Sequence, residues 1–522
     1  MPCEHPAMAT INGDTLSYLN FFFLSLISSF LLLYFFKKPT KPILHLPPSP
    51  PSLPLIGHLH LLGRVAYKYF HNLATKHGPL LSLQLGSVPL ILVSSASYAA
   101  EIFKTNDIAF SYKPKTPFDD GLLFQNFGFI SAPYGDYWRF MKKLCMTELL
   151  GPRQTERSSS VRREELQRFL QNMVDKACKN ENVDLENELV KLTNNTICRM
   201  AMSTRCSEEE DEAQRCKELV DGSMELAAKV AAAYLMGPLK KIGFWVFREQ
   251  LKNLSTQIDE LLEKILKEHE ERAKKDSDEG GDQDLMDILL KVYQDEKAEF
   301  QISRSQMKAF FVDLFIAGTH TTADSTHWIM AMLINHPKVF KKLREEIESV
   351  VGKNRLVEES DISKLHYLQA IVKETLRLYP LGPLIPRTNC EDCKIGGFDI
   401  PKETIVLINL YSIMRDPNIW DNPDEFKPER FLVSDHKETN KQKHLMGYVP
   451  FGGGRRMCPG SHLGLTIIHV NVASMVQCFD WKVYGGDGDG GKVNVEAKSG
   501  MIMCMAHPLV CLPVVHYNPF SG

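Results

Sequence analysis

A single cysteine, Cys458, sits in "PFGGGRRMCPG" (450–460), among glycines and just after Arg455 and Arg456. Arginines beside a thiol favour the thiolate, the form that binds metals and attacks electrophiles. Clustered glycine costs backbone entropy and is tolerated mainly where the chain turns sharply or something approaches it closely. The stretch predicts a negatively charged sulfur held against a large, closely approached partner.

Two further constellations could act with it. "AGTHTT" places Gly318, Thr319, His320, Thr321 and Thr322, poor helix formers, inside an apolar run from Phe310 to Leu333. Hydroxyls there predict a local widening, with oxygens projecting at something that lies against the helix. The alternative is a Gly/Thr kink with hydroxyls bonded back to the helix. In "YLQAIVKETLRLYP", Glu374 and Arg377 stand three apart on one helical face among apolar neighbours, and Arg430 in "FKPERF" offers Glu374 a second cation. Cys390 and Cys393 in "CEDC" have metal-ligand spacing but neither a second pair nor a nearby histidine, so they read as ordinary thiols.

These residues need a large frame. The helix with "AGTHTT" is apolar on nearly every side and must be buried. Ended by Pro337, its thirty or so residues would span roughly 45 Å. "LLSLQLG" and "PLILVSS" read as short strands, and helical periodicity dominates from 133 to 380. That run includes a long charged helix from Gln250 to Lys274 and two polar loops, near 206 and 273. After Pro380 the pattern turns to loops and short strands, with a hairpin loop at "YGGDGDGG". The expected fold class is mainly α with a small β region, as one domain over 58–522.

Residues 1–45 form a separate segment. Its stretch from Tyr18 to Phe36 carries no charge and is long enough to cross a bilayer as a helix. Lys37, Lys38 and Lys41 follow it and no Lys or Arg precedes it, so the chain after the span is expected to face the cytosol. The proline-rich "LPPSPPSLPLIG" (46–57) reads as a semi-rigid hinge. Charge is nearly balanced, 61 basic against 64 acidic residues, which argues against a nucleic-acid binder. Twelve cysteines without a regular framework fit reduced thiols in a reducing compartment.

"FGGGRRMCPG" fits F-x-x-G-x-R-x-C-x-G, and the chain resembles the cytochrome P450 family. The order of segments is also similar: proline-rich hinge, "YWRFMKK", "AGTHTT", E-x-x-R, P-E-R-F, then the cysteine loop. "APYGDYWRFMKKLCMTELL" resembles the plant microsomal branch that includes flavonoid-modifying and triterpenoid-oxidising enzymes. The resemblance implies a haem b cofactor with Cys458 as axial thiolate. It implies propionate contacts from Arg456, Trp138, Lys142 (where the family usually has arginine) and Arg387. It makes Glu374, Arg377 and Arg430 a structural triad, and gives Thr321 and His320 a part in proton delivery. His320 replaces the usual acid: either it relays protons, with Asp324, four residues on, orienting its ring, or the relay is damaged and electrons leak to peroxide.

The implied activity is an O2-dependent monooxygenase at the endoplasmic reticulum membrane, fed electrons from NADPH by a separate NADPH–cytochrome P450 reductase. The chain has no G-x-G-x-x-G loop of its own for a dinucleotide. Lys142, Lys143, Lys441, Lys443 and Arg455 are expected to steer that reductase. The expected substrate is a small lipophilic metabolite, with a lean to a triterpenoid over a flavonoid drawn from "LGPLIP" and from Met501, Met503 and Met505. A haem-thiolate isomerase or dehydratase and a non-catalytic haem binder are the rivals from other classes.

Overall fold

The computed structural model describes residues 44–114, 128–203, 212–234, 240–275, 283–432, 446–483, 491–500 and 502–520. Near the N-terminus it also describes Tyr18, Phe21, Phe22, Leu24, Ser25, Ser28 and Ser29, all helical and exposed. Among the described residues no helix is long and apolar enough to cross a membrane. The rest of the 18–36 span lies outside them, as do Lys441, Lys443, Met501, all of "YGGDGDGG" but its last glycine, and most of both polar loops.

The chain forms two units, Met1–Leu46 and Pro47–Gly522. The second is mainly helical. In order it carries α1 (Ala66–His77), β1 (Leu80–Leu85), β2 (Val88–Val93), α2 (Asp136–Leu144), α3 (Ser159–Cys178), β3 (Val183–Asp184) and α4 (Leu185–Met202). Then come α5 (Glu212–Tyr234), α6 (Lys240–Lys275), α7 (Leu285–Gln294), α8 (Arg304–Asn335), α9 (Pro337–Val351) and α10 (His366–Leu378). Strands β4 (Leu384–Thr388), β5 (Cys393–Ile395), β6 (Phe398–Ile400) and β7 (Ile405–Asn409) precede α11 (Ser461–Cys478), β8 (Phe479–Val483) and β9 (Val510–Val515).

The main sheet has the order β1-β2-β7-β4, with β2 and β7 parallel from Leu90–Ile405 to Val93–Ile408 and the other pairs antiparallel. The proline-rich segment is docked on this sheet and is no free spacer. The Ser82 N–H donates to Pro48 O at 2.9 Å, and Gly57 bridges Leu85.

Helix α8 starts at a capping box in which Ser303 and Gln306 each accept the other's backbone N–H. It runs through the body and stops before Pro337, as its sequence predicts. Its C-terminal half packs with α9, α10 and α11 around Trp328, Ile329, Leu333, Ile371 and Val472; its N-terminal half packs with α4, α6 and α7 around Phe311, Ile265 and Met286. Gly318 faces α4, where an added Cβ would lie 3.0 Å from Ile197 Cδ1. Glycine there lets the two helices approach, and Thr193 Oγ1 donates to Thr319 O at 2.8 Å across the contact. The Asn194 side chain, part of a glycosylation sequon, is buried in the same seam.

Two expectations change. The region after Pro380 is not all loops and strands, since α11 follows the cysteine loop directly. The helix through "AGTHTT" is not widened: α8 is α-helical throughout, and Thr321 Oγ1 donates back to Ala317 O at 2.6 Å. Back-bonding satisfies the hydroxyls without opening a turn.

Candidate active site

The cysteine loop is held from behind by the segment before it in space, residues 101–107. An added Cβ on Gly453 would sit 2.5 Å from Phe103 Cδ2, and one on Gly454 would sit 2.4 Å from Asp107 Oδ1. Gly452 and Gly454 also have positive φ, at +76° and +68°. So two of the three glycines serve close packing on protein, and only Gly452 of that triplet lines the adjoining cavity. The Cys458 N–H donates to Phe451 O at 3.1 Å, fixing the tight turn around the sulfur.

The arginines do not acidify the thiol as their position suggests. Arg455 pairs with Asp107 at 3.2 Å, and Arg456 donates its Nε to Ser111 O at 2.7 Å and an Nη to Ala132 O. Burial pushes the Cys458 thiol up; the Gly460 N–H and Lys142 pull the other way. A sulfur raised by desolvation becomes a thiolate when a metal cation replaces its proton.

Cys458 lines a cavity of about 430 Å³ together with one stripe of α8. Asp313, Ala317, Thr321 and Ser325 recur every fourth residue there and present one face. Leu314, Leu381, Leu384 and Ile385 add apolar wall. Met503 and Met505, expected at the substrate, are instead packed in the core, and Trp328 Nε1 donates to Met503 O at 2.8 Å.

Four cations line the same cavity: Arg387, Arg456, Lys142 and Lys113, the last not singled out by the sequence. Burial, with repulsion from Arg387 and Arg456, pulls Lys113 down to about 7. Burial likewise lowers Arg387 and Arg456 to about 10. Among the described residues none of the four has a carboxylate ion-pair partner. Arg456 lies over the buried Trp138 ring at 4.5 Å, and Trp138 stacks on Phe129 at 5.8 Å. Lys142 Nζ donates to Met457 O at 2.8 Å, beside the cysteine. Desolvated cations without an anion are costly, so this cluster calls for a negatively charged ligand. A haem, with two propionates and an iron that takes a thiolate, fits the residues present.

His320 turns away from this cavity. Its Nε2 lies 2.6 Å from Asp221 Oδ1 on α5, and that hydrogen bond raises its pKa. Asp324 does not orient the ring, because its Oδ2 accepts from Cys504 Sγ at 3.2 Å in a buried pocket. A partner ninety-nine positions away in the chain leaves no local sequence signal.

Behind the loop, Glu374 and Arg377 are fully buried. Arg377 donates to both Glu374 oxygens at 2.8 and 2.9 Å, and Arg430 Nε donates to Oε1 at 2.8 Å. The Lys427 N–H adds a bond at 2.9 Å, and Arg377 Nη1 reaches Met414 O and Pro423 O. The expected triad is present and ties α10 to the 420s.

The family model for cytochrome P450 matches residues 47–504. "Cytochrome P450 705A5" of Arabidopsis thaliana is 49% identical over 473 residues, covering 90% of this chain and 91% of its own. "3,9-dihydroxypterocarpan 6A-monooxygenase" of Glycine max is 42% identical over 482 residues, covering 91% and 94%. The fold is similar to that of a zebra fish cytochrome P450 solved with abiraterone, at TM-score 0.70 and 24% identity over 87% of this chain and 100% of that one. With a match along nearly its whole length, the chain belongs to the cytochrome P450 family, whose cofactor is haem.

Proposed function

We propose that this cytochrome P450 monooxygenase hydroxylates, or successively oxidises, a lipophilic polycyclic plant metabolite, with a triterpenoid as the first choice. The observation that carries it is one cavity lined by Cys458, by the Thr321 stripe of α8 and by four cations without carboxylate partners among the described residues. When bound, haem supplies the iron at which O2 is reduced and one oxygen atom is passed to substrate. Cys458 is the thiolate that holds the iron. Arg456, Arg387, Lys113 and Lys142 hold the propionate edge, with Trp138 as a flat support under Arg456.

Thr321 holds a proton at the cavity wall: its hydroxyl donates to Ala317 O and its oxygen can still accept. His320, whose pKa the hydrogen bond to Asp221 raises, lies one residue away and faces α5. Leu314, Leu381, Leu384 and Ile385 exclude water and suit an apolar skeleton. Electrons come from NADPH through a cytochrome P450 reductase, and the uncharged 18–36 stretch supports anchoring in the endoplasmic reticulum membrane with the body in the cytosol.

The triterpenoid choice rests on the apolar wall, since Met503 and Met505, which also suggested it, lie in the core. A second reading, a flavonoid-type or isoflavonoid-type hydroxylase, is favoured by the likeness to the soybean 3,9-dihydroxypterocarpan 6A-monooxygenase. Co-expression with a reductase, feeding triterpenes and flavonoids in parallel, separates the two by the product found. Product formation without O2 uptake would instead favour an isomerase or dehydratase. Cys458→Ala should abolish the thiolate-type carbon monoxide difference spectrum; a normal spectrum would place the iron ligand elsewhere.

A further inference from the structure

We propose that Asp313 is a specificity-determining residue, whose carboxyl receives a hydroxyl at the end of the substrate remote from the carbon oxidised. This rests on the cavity beside Cys458 being the substrate site. Among the described lining residues Asp313 is the only acid. It shares the α8 stripe with Thr321, eight residues on, which puts about 12 Å between them along the axis. That matches a fused or linked polycycle better than a small molecule.

The carboxyl is built into the wall. Its Oδ2 accepts the Ile130 N–H at 2.9 Å, and the Phe129 N–H also bonds to it. An added Cβ on Gly128 would lie 3.1 Å from Oδ2, so glycine lets the chain wrap this side chain closely. A carboxyl group has roughly four acceptor positions, and the two backbone donors leave capacity toward the cavity. The hydroxyls of Thr321 and Ser325 are already committed to Ala317 O and Thr321 O. Their oxygens can still accept, but Asp313 carries the only carboxyl among the described lining residues and is the strongest acceptor on this stripe.

Burial also pushes Asp313 up to about 7. Part of the population is then neutral near neutral pH and can donate as well as accept. A hydroxyl can answer both forms, whereas an ammonium needs the charged one.

The test is a spectral titration of the haem-loaded protein with matched pairs: β-amyrin and the hydrocarbon lacking its hydroxyl, and a hydroxyflavone and flavone. In the wild type at least one hydroxylated member should bind about tenfold more tightly than its partner. Asp313→Ala should erase that preference by weakening the hydroxylated member, while the other changes little. Should Asp313→Ala fail to load haem, Asp313→Asn is used, and it should reduce the preference at least threefold. Equal weakening of both members would reduce Asp313 to a support for Phe129 and Ile130, and would overturn the proposal. So would the absence of any wild-type preference, including binding by neither member. Product formation with NADPH and O2 tests the monooxygenase function separately, so absence of any wild-type preference with turnover intact sinks this inference alone.

Discussion

His320 and Asp221 join α8 to α5 through a 2.6 Å hydrogen bond between Nε2 and Oδ1. The carboxylate raises the imidazole's pKa, while Asp324 adds to the pull and Lys217 opposes it. A raised folded value means the pair's stabilisation is fully present below the unfolded pKa and fades as pH rises through the folded one.

Asp221→Asn should therefore lower the His320 pKa, read by NMR of the ring protons. An unchanged value would show that Asp221 does not control the ring. His320→Gln keeps a hydrogen-bonding side chain that cannot titrate, and should lower product formed per NADPH if the histidine passes protons. His320→Asp is no simple restoration of an acid, because it would set two carboxylates in contact across α5 and α8. A several-fold rise in coupling in that variant would mark His320 as a defect.

Lys113 should weaken the empty protein and strengthen the loaded one. Its lowered pKa means the folded state binds fewer protons than the unfolded chain, so apo-protein stability should rise between about pH 7 and 10. Lys113→Gln should flatten that rise in thermal melts of apo-protein. The same change should speed haem transfer to an apo-globin several-fold, because one propionate partner is lost. Equal transfer rates would place Lys113 outside the cofactor's reach.

Glu374 holds two arginines inside the protein. Glu374→Gln would leave Arg377 and Arg430 facing each other without their charge partner, a loss of about 3–5 kcal/mol for a buried pair. The expected result is a protein that fails to retain haem, seen as absent absorbance in the purified fraction. Full haem content with an unchanged melting temperature would show that the backbone carbonyls around Arg377 suffice.

The cations expected to steer a reductase are mostly engaged. Lys143 pairs with Glu299 at 2.7 Å, Arg455 with Asp107, and Lys142 with Met457 O. Arg163, Lys373 and His462 line a groove that also includes Phe451 and Met457, and carry no ion pair among the described residues. Arg163→Glu with Lys373→Glu should slow reductase-driven reduction, most at low salt, and leave dithionite reduction unchanged. An equal effect from Lys143→Glu would return the steering to the α2 side.

Local pattern made much of this legible. Helix α8 announces itself by length, apolarity and Pro337; Cys458 announces itself by the glycines and basic residues around it. Helix α11 did not, because "HLGLTIIHVNVASMVQC" is apolar nearly all round and offers no 3.6-residue alternation. Lys113 stands in "SYKPK" like any surface lysine, and only the fold brings it to Arg387 and Arg456. Met503 and Met505 show that soft apolar residues fill a core as readily as a binding site.

The parallel pairing of β2 with β7 sets a clock on biosynthesis. Leu90 leaves the ribosome long before Ile405 exists, and at roughly 5–20 residues per second the wait is about 15 s to a minute. Throughout it β2 has only β1 beside it and an open edge of unpaired backbone groups, the kind of edge that recruits other chains. The main sheet closes late, just before the cysteine loop is made. Yield in a cell should therefore respond to translation speed and chaperone supply more than native stability alone would suggest.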